Sequence, residues 1–226
     1  MRRLYLIIRA IPKTIYFNFK YLPFKKAIKL PIVVSHRVWL MKSRGNVNIN
    51  SNVIKPAMIK LGFGEVGIFD SMRSRSVWNV SGTVNFSGTA TLGHGIKISV
   101  EDEGKLNIGN NLIVTAESSI ICRREISLGE NVMISWEAQI MDSDLHPIIN
   151  SENIVINKDE PIDIGDNSWI GSRVILLKGV KLPKGTIVAA GSTLNKGALK
   201  SIKEKENSLI GGEPIRILKE NVTFKV

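Results

Sequence analysis

A chain of 226 residues, 43% of them hydrophobic, is long enough to bury one ample core with an extension besides. Its single cysteine, Cys122, excludes a disulfide framework and fits a reducing cytoplasm. The formal net charge of +11 resides in residues 1–45, which hold eleven Lys and Arg and no acid. The rest of the sequence balances and offers no cationic surface for nucleic acid.

Residues 1–45 interleave aromatic and aliphatic side chains with Lys and Arg, and are punctuated by Pro12, Pro23 and Pro31. The apolar run from Leu4 to Ile8 stops at Arg9, far short of the ~20 residues a bilayer span needs. No small-residue cleavage site follows it, so neither a span nor a signal peptide is expected. Short amphipathic pieces are expected instead: Leu4, Ile7, Ile8 and Ile11 share a helical face, with Arg2, Arg3 and Arg9 off it. Such pieces either cap an open apolar end of the next domain or lie on an anionic membrane surface.

From Gly45 to Phe86, short strand-like pieces such as Val47-Asn48-Ile49 alternate with glycines. Aliphatic and aromatic residues then recur every six positions: Phe86, Leu92 and Ile98, and, after a polar turn, Ile108, Val114, Ile120 and Ile126. Displaced by two, the count continues at Leu128, Ile134 and Ile140. Between Met141 and Pro161 it fails. Continued sixes would bury His146, Glu152 and Lys158, and charged side chains are almost never buried unpaired. Residues 141–163 are therefore expected to leave as a loop, the kind of excursion that carries binding and chemistry. The count returns at Ile164, Ile170, Leu176, Leu182, Val188 and Leu194. A helix repeats every 3.6 residues and a strand every two; a six-residue repeat belongs to the stacked coils of a parallel β-helix. Beyond it, Ala198 to Lys205 is expected to be helical and the tail from Ile215 a strand or closing helix. The expected division is an extension over 1–45, coils over 46–196 and a cap over 197–226.

The hexads, with the WIGS segment at Trp169 and the AAGS segment at Ala190, resemble those of the hexapeptide-repeat acyltransferases, from roughly Leu92 to Lys219. The resemblance implies an all-β fold, a left-handed parallel β-helix, whose hand departs from the usual crossover rule. It implies transfer of an acetyl group from acetyl-coenzyme A to a sugar or glycan hydroxyl in surface-polysaccharide assembly, without a metal. It also implies a homotrimer in which the loop of one subunit faces the cofactor groove of the next. An amine, amino acid or antibiotic acceptor, or a non-catalytic structural β-helix, are the alternatives.

Of three histidines, His36 and His94 have no acid within four residues, whereas His146 opens the loop with Asp142 and Asp144 just before it. In the family a histidine at this place is the general base, which implies that role for His146. Imidazole, with an ordinary pKa near 6.5, suits removal of a hydroxyl proton close to neutrality. Asp142 and Asp144 are both candidates to orient the ring, or merely to satisfy loop amides. Trp136 is a candidate wall of the acceptor site. Positions matching the family's acyl-coenzyme A contacts are Trp169, Ser172, Ala190, Asn195, Lys196, Arg216 and Lys219, supplying apolar surface, backbone and cations. Asn195 and Glu213 depart from the family's usual residues. A zinc hydratase on the same fold needs three converging histidines, which the spacing does not offer. Cys122, beside Arg123 and Arg124 with no histidine near, is expected to be buried and inert.

Overall fold

The computed structural model describes residues 2–200 and 205–225. Its body is a three-sided parallel β-helix in which, as far as Thr193–Leu194, every third strand along the chain joins the same sheet. The three sheets hold nine, seven and six strands. Among the described residues the strands pair in parallel except the last, where Arg216–Glu220 runs antiparallel to Ser208–Gly211.

The six-residue period is the step from one side of the triangle to the next. Leu92, Val114, Ile134, Ile170, Val188 and Ile210 form one column of paired residues on the first sheet. Ile98, Ile120, Ile140, Leu176 and Leu194 form a second. Phe86, Ile108, Leu128, Ile164 and Leu182 form the third. All are buried and face one another across the interior, so each short strand, too narrow to bury its own apolar side, is covered by its neighbours above and below. The displacement by two has a local cause. Strand Glu125–Leu128 turns both Ile126 and Leu128 inward, and Leu128 rather than Ile126 sits in register with Ile164.

The corners explain the recurring Asn and Gly. Asn111, Asn131 and Asn167 stack at one corner with φ of 60°, 54° and 54°, a left-handed conformation that asparagine tolerates better than most residues. Their amides form a ladder, Asn111 Nδ2 donating to Asn131 Oδ1 at 3.0 Å and Asn131 Nδ2 to Asn167 Oδ1 at 3.1 Å. At the same corner Gly109 is required by proximity, because a Cβ there would lie 2.3 Å from the carbonyl oxygen of Gly129.

The amino-terminal segment is one 20-residue helix, Arg2–Tyr21, where short pieces were expected; it runs through Pro12. Its side chains bond to the first strand, Ile32–Val34, which is the outer edge of its sheet. Asn18 donates to the Ile32 carbonyl (2.6 Å) and accepts from the Ile32 amide (3.1 Å), and Thr14 Oγ1 accepts from the Val34 amide (3.0 Å). Two side chains thus stand in for a missing strand and blunt an edge that would otherwise present unpaired backbone. Phe17, 1% exposed, packs edge-on against Trp78 at 5.2 Å, and Trp78 Nε1 donates to Tyr21 Oη at 3.0 Å. The strands begin at Ile32, ahead of the expected residue 46, so the end of the expected extension already belongs to the first coil.

At the far end a helix, Lys196–Lys200, begins the expected helical stretch, and residues 201–204 of that expectation lie outside the described residues. Ser208–Gly211 then returns to extend the first sheet, so the cap contributes a further strand to the coils. No helix among the described residues is long and apolar enough to cross a membrane.

Candidate active site

The loop leaves after strand Gln139–Met141 and returns at Ile162–Ile164. Most of it is exposed, including His146, Glu152 and Lys158, the three positions the period would have buried. It folds back on itself as a small hairpin closed by an antiparallel bridge between Ile149 and Val155.

Its base is rigid for identifiable reasons. Asp142 is 0% exposed, and its carboxylate oxygens accept the backbone amides of Arg123 (2.7 Å) and Arg124 (2.8 Å) from the coil below. Ser143, also buried, accepts the Leu145 amide at 2.9 Å. Leu145 takes a positive φ of 64° and the His146 amide donates to the Asp144 carbonyl at 2.8 Å, a tight turn that puts His146 at the surface. Asn157, on the returning arm, donates to both the His146 carbonyl (2.9 Å) and the Asp144 carboxylate (2.8 Å). Lys178 Nζ forms an ion pair with that carboxylate and donates to the Asn157 carbonyl at 2.8 Å. The Lys178 ammonium, followed by the Asn157 amide, holds the Asp144 carboxyl below the usual carboxylate range.

Neither aspartate hydrogen-bonds the imidazole in this chain, where one of the two was expected to orient it. Asp142 spends both oxygens on buried backbone amides, and Asp144 faces Lys178 and Asn157. Among the described residues none hydrogen-bonds the His146 ring.

Beside this turn lies a polar cavity of about 870 Å³ lined by Glu101, Asp102, Glu103, Arg123, Arg124, Leu145 and Asp159. Arg123 braces it, donating to the Leu145 carbonyl at 2.9 Å and pairing with Asp159 at 3.4 Å. Arg124 donates to the Asp159 carbonyl at 2.9 Å. Sequence reasoning did not assign these arginines, Lys178 or Asn157 to the site. The signal for Lys178 is the register of Met141 with Leu177, which places it on the loop's own corner.

The remaining candidates divide among different sides of the triangle. Asn195 and Lys196 share the loop's corner; Lys196 forms an ion pair with Glu160 and Asn195 Oδ1 caps the Ala198 amide at 2.8 Å. The chain does not hold Lys196 as a free cation. Trp136, Ser172 and Ala190 lie at another corner, where the Arg173 amide donates to the Trp136 carbonyl (3.0 Å) and the Gly191 amide to the Ser172 carbonyl (2.9 Å). Trp136 and His146 stand at opposite ends of strand Gln139–Met141, so the tryptophan does not wall the cavity beside the loop. Trp169 is on the first sheet, donating to Ser135 Oγ at 2.9 Å and covered by the Phe224 ring at 5.8 Å. Arg216 and Lys219 are exposed on the final strand of that sheet. Cys122 is fully buried and burial, with the Asp142 charge nearby, pushes its thiol far up, as expected of an inert side chain. Among the described residues no group of three His, Cys, Asp or Glu is gathered as metal ligands would be.

No protein-family model matches the chain. An uncharacterized 24.8 kDa protein in the cps region of Klebsiella pneumoniae is 30% identical over 208 residues, 92% of this chain and 87% of that one. The polysialic acid O-acetyltransferase of Neisseria meningitidis is 35% identical over 82 residues, 36% of either chain. Among solved structures, the polysialic acid O-acetyltransferase OatWY superposes with a TM-score of 0.51 at 22% identity, covering 84% of this chain and 87% of that one. With the three-column core, these likenesses fix the architecture as a left-handed parallel β-helix. Its homologues include O-acetyltransferases, its fold is that of the hexapeptide-repeat acyltransferases, and the chain is an acyltransferase.

Proposed function

We propose that the protein transfers an acetyl group from acetyl-coenzyme A to a sugar hydroxyl in the assembly of a capsular or other surface polysaccharide, with His146 as general base. The observation that carries the reading is the longest excursion from the coils among the described residues, pinned at its base and presenting an exposed imidazole next to Leu145, which lines a polar cavity. The names of the relatives support the acceptor class: one lies in a cps region, another acetylates polysialic acid. The free thiol of Cys122 fits a cytoplasmic setting.

In this mechanism the His146 ring takes the proton of the acceptor hydroxyl as its oxygen bonds to the thioester carbonyl carbon. The carbon–sulfur bond breaks and the proton passes to the departing sulfur, giving an ester and a free thiol. General-base assistance of this kind is worth about 10²–10⁴-fold in rate.

The active unit in this reading is a homotrimer. Candidate cofactor contacts Ser172 and Ala190 occupy a different corner from His146, so one chain does not bring them together. The loop also exposes Ile148, Ile149, Ile154 and Ile156, each more than half bare, an apolar surface that a neighbouring subunit would cover. Trp169, Arg216 and Lys219, on the sheet adjoining that corner, supply aromatic surface and cations suited to pantetheine and phosphate.

The test is thiol release from acetyl-coenzyme A over a panel of free and nucleotide-linked sugars, with His146→Ala alongside and the native mass measured by light scattering. The expectation is release with at least one sugar, a 10²–10⁴-fold loss in the variant, an unchanged melting temperature and a trimeric mass. Release that is absent throughout, or equal in both proteins, rejects the proposal.

A further inference from the structure

We propose that the bare face of the amino-terminal helix docks this protein on an anionic lipid bilayer, a matter of location that stands apart from the acetyl-transfer reading. The helix Arg2–Tyr21 carries more apolar surface than the cap it forms can use. Ala10, Thr14, Phe17 and Asn18 are buried against the first coil. Leu4, Ile7, Ile8, Ile11 and Ile15, at spacings of three and four, form a separate row, and each is 44–63% exposed. Beyond the row Phe19 meets Phe24 at 5.9 Å, and both rings are exposed. On one flank Ile7, Ile11 and Ile15 also line a groove of about 810 Å³ against Leu30 and Phe63, a recess suited to lipid chains. Isolated apolar residues are ordinary on a protein surface, whereas a continuous row marks a contact.

Charge selects the occupant. Residues 1–45 contain eleven cations and no acid, while the remainder of the chain is balanced. Arg9 and Lys20, both exposed, lie off the apolar row. A second copy of the chain packed on this row would bring together two segments that hold no carboxylate to offset their cations. A nucleic acid would meet the cations and leave the aliphatics in water. An anionic bilayer satisfies both, taking the row into the headgroup boundary while each nearby cation raises partitioning about fivefold.

The experiment sediments the full-length protein with vesicles of mixed phosphatidylglycerol and phosphatidylcholine, or of phosphatidylcholine alone. Pelleting with the anionic vesicles, weakened by added salt and slight with the neutral ones, is expected. Ile8→Glu with Ile11→Glu lowers partitioning by about tenfold or more, and Arg9→Glu with Lys20→Glu lowers it comparably. Because all four side chains are exposed, circular dichroism should show unchanged melting for both pairs. Absence of pelleting with anionic vesicles overturns the proposal, as does undiminished binding by either well-folded pair. A lower native mass of the Ile8/Ile11 pair in vesicle-free light scattering would give the row to a second copy and equally overturn it.

Discussion

Replacing Asp142 by Asn separates a structural carboxylate from a catalytic one. Each Asp142 oxygen accepts one backbone amide, at 2.7 and 2.8 Å, from a site without solvent contact. An asparagine keeps one acceptor and turns an NH2 group against the other amide, so one buried donor loses its partner. A bond to a charged group contributes about 1.5–3 kcal/mol, and a stranded buried donor costs a comparable amount. We expect the variant to lose about 2–3 kcal/mol. For a chain of this size 1 kcal/mol moves the melting midpoint by about 2–4 °C, so the midpoint should fall by about 5–10 °C. The assay pairs a thermal melt followed by circular dichroism with the transfer rate measured well below both midpoints, where the folded fraction is unchanged. The expected result is a large loss of stability with a modest loss of rate. A variant that melts within about a degree of the parent yet transfers a hundredfold more slowly would show that Asp142 acts on the imidazole after all.

Three further expectations concern the loop, the thiol and the cap. The Asp144 carboxyl is held below its ordinary value by Lys178 and Asn157, so its tie to the loop is complete above about pH 4 and lost as pH falls through the lower folded value. Limited proteolysis of residues 142–161 should therefore quicken only in acid, and Lys178→Met should make the loop cleavable at neutral pH; cleavage beginning near pH 6 in the parent would contradict this. Cys122 should resist alkylation for hours in the folded protein at about pH 8 and react fully once guanidinium unfolds it, whereas stoichiometric labelling of the native state would refute its burial. Phe17→Ala should cost about 3–5 kcal/mol in unfolding, because the ring is 1% exposed against Trp78; a urea midpoint like that of the parent would mean the helix does not cap the coils.

How far the molecule can be read from its sequence depends on which contacts are periodic. Ile164 to Leu194 disclose the core because each inward residue is stacked on its counterpart one coil away, so a repeat in sequence is a column in space. His146 stands out for the complementary reason, as a residue the repeat would bury and the chain expels. The amino-terminal helix was harder to foresee. Pro12 removes an amide and argues for a break, while the bonds from Thr14 and Asn18 to strand Ile32–Val34 that hold the helix together join segments with no shared period.

Corner contacts follow a third logic. Asp142, Asp144 and His146 are close in sequence, which invites a reading of them as one catalytic group. The corner instead distributes them by direction: Asp142 turns inward to the amides of Arg123 and Arg124, Asp144 turns along the stack to Lys178, and His146 turns out. That division was available only through the register Ile121 with Met141 and Met141 with Leu177, which skips the loop and stacks three corners that the linear sequence holds apart. It also bears on where the chemistry sits. If His146 is the base, as proposed, and both aspartates stay with the partners they have within the chain, an orienting partner for the exposed imidazole comes from the acceptor, from water or from a neighbouring subunit. The last agrees with the separation of His146 from Ser172 and Ala190 on different corners, and with the trimer proposed above, in which the loop would supply one wall of the site and the corner of Ser172 and Ala190 in another copy would supply the other.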